Sequence, residues 1–212
     1  MQKGIFECKW RAKEKIWEKA ELIRTKHWPQ GTLPVNMEHI VEFELDLHVE
    51  PKRGLRSDAD IFAGLRRDMT GIVVDYNCYM NTKFSNLMRF AFAHELGHFF
   101  IHKKIFANIG FASTDEWKDF MGEVPESEYR SCEWQANEFA GRLLVPRHIL
   151  KSEIEKLNKM IRESNLADYT SKDPDAVLLR ISPALCRIFG VSEEVIEKRL
   201  EREKLWPPDG IE

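Results

Sequence analysis

Phe90-Ala91-Phe92-Ala93-His94-Glu95-Leu96-Gly97-His98-Phe99-Phe100 is the stretch on which the fold turns. With Phe84, Leu87 and Met88 upstream, it places apolar residues on more than one side of a helix. That predicts a long helix beginning after Asn81 and buried rather than lying on the surface. Within it, His94 and His98 stand at i and i+4, one turn apart on one face, with Glu95 between them. Two imidazoles so placed hold a single Zn²⁺, and the glutamate points beside the metal toward water, which is the HExxH arrangement. Shuffling the chain's 7 histidines and 24 glutamates would produce it about 0.03 times. A purely structural histidine pair would leave Glu95 unexplained, because an unpaired carboxylate in an apolar helix is costly. Gly97 costs roughly 1 kcal/mol against alanine in a helix interior, so another backbone is expected to cross closely there.

Working outward, Cys8 to His27 carries the helical stripe Trp10, Ile16, Trp17, Ala20 and Ile23, and ends before Trp28-Pro29-Gln30-Gly31. Both tryptophans are expected to pack inward. Leu33-Pro34-Val35-Asn36 enters a helix capped by Asn36 and continuing through Met37, Ile40, Val41 and Phe43. Leu45 to Val49 alternates as a half-buried strand that Pro51 ends, and Ala59 to Leu65 and Gly71 to Asp75 read as two more strands joined near Asp68 to Thr70. Downstream, Thr114-Asp115-Glu116 opens a short helix and Ser127 to Leu144 forms a long one, stopped by Val145-Pro146. Helices then run to Ile161, from Asp175 to Phe189 and from Ser192 to Arg202, with Asn165 to Pro174 as a loop. The expected class is α+β: a mostly helical domain with a small three-stranded sheet and a C-terminal helical segment. The expected organisation is a basic N-terminal helix over 1–30, a metal-bearing core over 31–146, and a helical segment over 147–212 packed on that core.

A catalytic zinc needs a third protein ligand and an open fourth position. Glu133-Trp134-Gln135-Ala136-Asn137-Glu138-Phe139-Ala140 offers two carboxylates. Glu133 shares a face with Asn137 and, slightly further round, Ala136, and the small Ala136 and Ala140 allow close helix packing. Asn137 is placed to accept a hydrogen bond from a ligand imidazole N–H and fix its tautomer. Glu138 lies on another face and is expected to be solvated. Spacing favours Glu133 and leaves Glu138 open.

The 212 residues, 43% hydrophobic and 32% charged, suffice for one domain with a helical appendage. Apolar runs such as Phe99 to Ile101 fall far short of the roughly 20 residues of a membrane span. The N-terminus lacks the apolar centre of a signal peptide, so a cytoplasmic location is expected. A net charge of -3 gives no general pull toward phosphate backbones, despite the basic residues among the first 30. Cys8, Cys78, Cys132 and Cys186 form no CxxC pair and read as reduced, mostly structural thiols.

His94-Glu95-Leu96-Gly97-His98 followed by Glu133-x-x-Ala136-Asn137-x-Phe139-Ala140-x-x-Leu143-Leu144-x-Pro146 resembles the ImmA/IrrE family of bacterial gluzincin-like metallopeptidases. The similarity extends to Leu33-Pro34-Val35, to Gly71-Ile72-Val73-Val74, and to Phe189-Gly190-Val191-Ser192 with Arg199-Leu200, covering roughly residues 30 to 202. Arg142 and Val145 depart from the acidic residue and the Met usual in that family. The resemblance implies that Glu133, the first residue of the ExxAN segment, is the third zinc ligand beside His94 and His98. It also implies peptide hydrolysis, with Glu95 as the proton carrier. Substrates would be helix-turn-helix repressors or antitoxin-like proteins. The alternative is a regulatory or toxin–antitoxin partner of the same fold with little proteolysis. His102, continuing the 94/98 stripe, is expected to pack or to support a ligand; Tyr129 is a weaker candidate for stabilising an oxyanion. Leu178 to Leu200 mimics a DNA-reading helix-turn-helix. Its second helix carries Glu193, Glu194, Glu197, Glu201 and Glu203, a poor surface for a major groove, so core packing or partner docking is expected and nucleic-acid binding is not.

Overall fold

A computed structural model describes residues 7–105, 124–163 and 172–207, arranged as two compact units. The first comprises Met1–Thr32 with Asn36–Leu143, the second Leu33–Val35 with Leu144–Glu212. The short helix expected at Thr114-Asp115-Glu116, and most of the loop expected from Asn165, lie outside the described residues.

In the first unit, α1 (Lys13–His27) buries Ile16, Ala20 and Ile23. It begins five residues later than its stripe suggested, so Trp10 precedes it and is 76% exposed instead of packing inward. Asn36 caps α2 (Met37–His39) by accepting from the His39 N–H, as expected. The helix then widens into a π-helical stretch, Ile40–Glu44, closed by the Leu45 N–H on the Ile40 carbonyl. The N–H groups of Leu45 and Leu47 bond back to the Ile40 and Val41 carbonyls, with Asp46 left-handed between them, so the residues read as the strand's start are held on that turn and β1 is displaced to His48–Lys52. Pro51 lies inside β1, which is tolerated because β1 is an edge strand that needs no N–H on its outer side.

The second strand is shortened in the same way. Leu55–Ala59 forms α3, Asp60 ends it in the left-handed conformation, and only Ala63–Leu65 remains as β2. β3 (Gly71–Asp75) is the central strand, buried throughout, parallel to β1 and antiparallel to β2. Asp75 at its end accepts from the Cys78 N–H at 3.0 Å, capping α4 (Tyr76–Tyr79), and from the Arg56 N–H of α3 at 3.1 Å. One carboxylate thus ties two short helices to the sheet. Burial raises the pKa of this carboxyl, but the N–H groups of Cys78 and Arg56 outweigh that and hold it below the ordinary range.

The long helices follow. α5 (Ser85–Ile101) buries Met88, Phe92, Ala93, Glu95, Leu96, Gly97 and His98, and α6 (Glu126–Leu144) crosses it. The crossing is at Gly97, where a Cβ would stand 2.9 Å from the Cα of Ala136 and 3.1 Å from its carbonyl oxygen. The close approach inferred from a lone glycine is therefore present.

The second unit holds α7 (Arg147–Arg162), α8 (Pro174–Phe189) and α9 (Glu193–Glu203). Gly190, at φ +63°, supplies the left-handed turn between α8 and α9. Leu150, Ile154, Val177, Leu185, Phe189, Ile196 and Leu200 are buried, so the apolar faces of this helix-turn-helix-like segment serve packing. Arg199 and Glu203 form a buried ion pair, which Arg147 extends at 2.8 Å. No described helix is long and apolar enough to cross a membrane.

Candidate metal centre

The crossing of α5 and α6 brings His94, His98 and Glu133 together, with ligand atoms within 4.8 Å of one another. His94 Nε2 is 3.0 Å from His98 Nε2, and the two Glu133 oxygens lie 3.2 Å and 3.3 Å from those nitrogens. A tetrahedral ion with bonds of about 2.0–2.1 Å requires ligand–ligand edges of about 3.3 Å, and the spacing of these atoms is close to that.

Proton placement argues the same way. His94 Nδ1 is 2.9 Å from Asn137 Oδ1, which can only accept, so the ring proton sits on Nδ1 and the Nε2 lone pair faces inward. His98 Nδ1 is 3.1 Å from His102 Nδ1, and His102 Nε2 is 3.3 Å from Gln135 Oε1. The consistent chain is His98 Nδ1–H to His102 and His102 Nε2–H to Gln135, with Gln135 donating to the Lys9 carbonyl at 3.0 Å. These tautomers are assigned from the network. They leave two nitrogen lone pairs and a carboxylate converging with no donor between them, an arrangement that calls for a cation.

The electrostatics repeat that demand in protonic form. Burial works against charge on His94, but Glu133's hydrogen bond and the charges of Glu133 and Glu95 prevail and push it up to about 9. His98 is pushed down to about 3 by burial and by the charge of His94, against the opposing pull of Glu133, so one imidazole at most takes up a proton. Glu133, although buried, is held well below the usual carboxylate range by its bonds to both histidines. Where no metal binds, a proton on His94 stands in for it.

Glu95 is buried beside this cluster, and its Oε2 accepts from the Leu65 N–H of edge strand β2 at 2.8 Å. Burial, reinforced by the charge of Glu133, raises its pKa to about 7. Tyr129 lies one turn before Glu133 on α6, and burial together with the negative charges of Glu133 and Glu95 pushes its hydroxyl well above the usual range. Glu138 is not solvated as its face suggested. It is 8% exposed and accepts from Trp17 Nε1 of α1 at 2.9 Å, away from the metal cluster. Arg142 pairs with Glu21 at 2.6 Å and lies over the Trp17 ring. The Leu65 anchor and the Gln135 support escaped sequence reasoning, since neither carries a spacing signal.

No curated protein matches the chain. A family profile described as the IrrE N-terminal-like domain, peptidase family M78, matches residues 79–201 and so spans His94, Glu95, His98 and Glu133. The match covers more than half of the chain, and with the resemblance already evident in the HExxH and ExxAN motifs, the chain belongs to this metallopeptidase-type family.

Proposed function

We propose that the protein is a zinc-dependent endopeptidase of the cytoplasm that cleaves a helix-turn-helix repressor or antitoxin-like protein. The observation that carries this reading is the convergence of His94 Nε2, His98 Nε2 and both Glu133 oxygens, with the Glu95 carboxyl beside them, in a chain of this family. His94, His98 and Glu133 would hold the metal, which when bound makes water a nucleophile near neutral pH and polarises a peptide carbonyl. The remaining work falls to side chains. Asn137 and His102 orient the two imidazoles so that both present Nε2. Leu65 N–H holds one oxygen of Glu95 and leaves the other to take a proton from water and pass it to the leaving amine.

The test is incubation of zinc-loaded protein with helix-turn-helix repressors of the same organism, followed by mass spectrometry of the products. The expected result is one cut by the wild type and none by Glu95→Gln, which should retain its zinc, with casein untouched. Cleavage by Glu95→Gln at near wild-type rate would remove the proton role. An intact repressor bound tightly by both forms would favour the non-proteolytic partner reading.

A further inference from the structure

A second cluster lies one hydrogen bond beyond the metal centre. Cys8 Sγ, Cys132 Sγ and a ring nitrogen of His102 lie within 4.8 Å of one another, and all three residues are buried. Cys8 Sγ is 4.0 Å from His102 Nε2 and receives the Gln135 amide at 3.4 Å. Cys8 belongs to the irregular chain ahead of α1, pinned by its N–H on Glu128 Oε2 at 2.7 Å. Cys132 rides on α6, one residue before Glu133.

Two cysteines and a histidine suggest a second metal site. Proton accounting excludes it while the first is filled. A metal on His98 Nε2 requires the His98 proton on Nδ1, which donates to His102 Nδ1 at 3.1 Å and thereby fixes the His102 proton on Nε2. Binding a metal at His102 Nε2 would move that proton to Nδ1, leaving two N–H groups facing each other across the same 3.1 Å. What remains for two neighbouring sulfurs beside an N–H donor is thiol chemistry.

We propose that Cys8 and Cys132 are a peroxide-oxidisable pair that closes a disulfide beside Glu133 and weakens metal binding at His94, His98 and Glu133. The disulfide stands on the thiol geometry alone; its effect on affinity rests on the metal reading above. Cys8 is the attacking sulfur. It is 7% exposed where Cys132 is fully buried, the Gln135 amide donates to it, and His102 Nε2–H, bonded to the nearer Gln135 Oε1, stands 4.0 Å from it. The neighbouring Cys132 thiol, helped by His102 against the opposing effect of burial, lowers its pKa. The thiolate attacks one oxygen of hydrogen peroxide, the O–O bond breaks, and hydroxide leaves a sulfenic acid on Cys8. The Cys132 sulfur then attacks that sulfur, the S–S bond forms, the S–O bond breaks, and hydroxide carries off the remaining thiol proton as water. Two thiols are oxidised by two electrons, one peroxide is reduced, and two waters result. The sulfurs, within 4.8 Å of each other, must close by up to about 2.7 Å to reach bonding distance, and the irregular segment bearing Cys8 can make that movement without unwinding a helix.

The coupling follows the hydrogen-bond chain. In the dithiol form, the electron-rich Cys8 sulfur beside His102 Nε2–H strengthens His102 Nδ1 as an acceptor, which makes His98 a more basic ligand. A disulfide sulfur carries no charge and accepts weakly, so His98 binds metal less well.

The experiment treats full-length protein, zinc-loaded and metal-free, with hydrogen peroxide. Denaturing alkylation and peptide mapping then locate the disulfides, and a competing chromophoric chelator reports zinc affinity. Expected are loss of two thiols per chain, a cross-linked peptide containing Cys8 and Cys132, and Cys78 and Cys186 still alkylated. The zinc Kd should rise about tenfold and recover on reduction with a dithiol. Cys8→Ser and Cys132→Ala should each abolish the cross-link, and in Cys8→Ser the Kd should no longer respond to peroxide. Absence of the cross-link, or pairing through Cys78 or Cys186, overturns the proposal. A cross-link with unchanged zinc affinity overturns the coupling. Failure of both forms to bind zinc overturns the coupling together with the metal reading, while the map still judges the disulfide.

Discussion

Adding one methyl group at Gly97 tests whether the α5–α6 crossing sets the metal centre. In Gly97→Ala the new Cβ would stand 2.9 Å, 3.1 Å and 3.2 Å from the Cα, carbonyl oxygen and Cβ of Ala136. Ordinary carbon contact begins near about 3.5 Å, so the helices must part by roughly 0.6 Å. The obstacle is largely backbone, which cannot rotate away. Overpacking of this kind costs about 1–3 kcal/mol, and the better helix propensity of alanine returns about 1 kcal/mol, leaving a net loss of about 1–2 kcal/mol. In a chain this size that lowers the unfolding temperature by roughly 2–8 °C. The same displacement acts on chemistry, because Glu133 rides one turn before Ala136 on α6 while both histidines ride on α5. Metal–ligand distances tolerate only about 0.2 Å, so zinc affinity should fall at least about tenfold. Thermal unfolding with chelator competition measures both effects. Restoring space by Ala136→Gly in the same chain should recover only part of each, because the Ala136 backbone atoms remain in the way. A Gly97→Ala protein as stable as wild type, with unchanged zinc affinity, would refute the reasoning.

Two further outcomes are expected. Glu133→Ala should lose zinc affinity by roughly a hundredfold or more, whereas Glu138→Ala should keep it and lose about 1–2 kcal/mol of stability by stranding Trp17 Nε1, and an exchange of these two results would reverse the ligand assignment. Asp75→Ala should cost about 2 kcal/mol near pH 7, about 1 kcal/mol for each of two helix caps. The Asp75 carboxyl has its folded pKa below its unfolded value. Its contribution is therefore complete above the unfolded value of about 3.9 and disappears as pH falls through the lower folded one. Denaturant unfolding of variant and wild type should converge at the acid end of that window, and a difference that persists undiminished would show that the carboxylate charge is not what caps these helices.

What could be read from the chain before folding, and what could not, divides along the range of the interactions. His94, His98 and Asn137 were legible because helical spacing alone decides which atoms share a face, and that face is where the Nδ1–Asn137 bond forms. The late start of β1 was not legible, since the π-helical turn at Ile40–Glu44 is closed by backbone bonds that leave the apolar alternation of Leu45, Leu47 and Val49 intact. The division of Ala59 to Leu65 depends on a carboxylate at position 75 that reaches back to Arg56, a contact with no local pattern. The cysteines are harder still. Cys8 and Cys132 meet only because the irregular chain before α1 lies against α6, and no spacing rule relates them.

The two carboxylates of α6 show where the boundary falls. Spacing put Glu133 and Glu138 on different faces and favoured the first as a ligand because Asn137 and Ala136 accompany it. The fate of Glu138 was decided elsewhere, by a tryptophan on α1 whose indole N–H needs an acceptor once its ring is partly buried. A buried glutamate on a metal-bearing helix would by itself be the stronger suspect, because charge seldom enters a protein interior without a partner. Glu138 has that partner in Trp17, whereas the atoms Glu133 meets are two imidazole nitrogens whose lone pairs, like its own, point into one shared space. The distinction lies in donor against acceptor rather than in burial, and it is why the proposed metal set takes Glu133 and not Glu138.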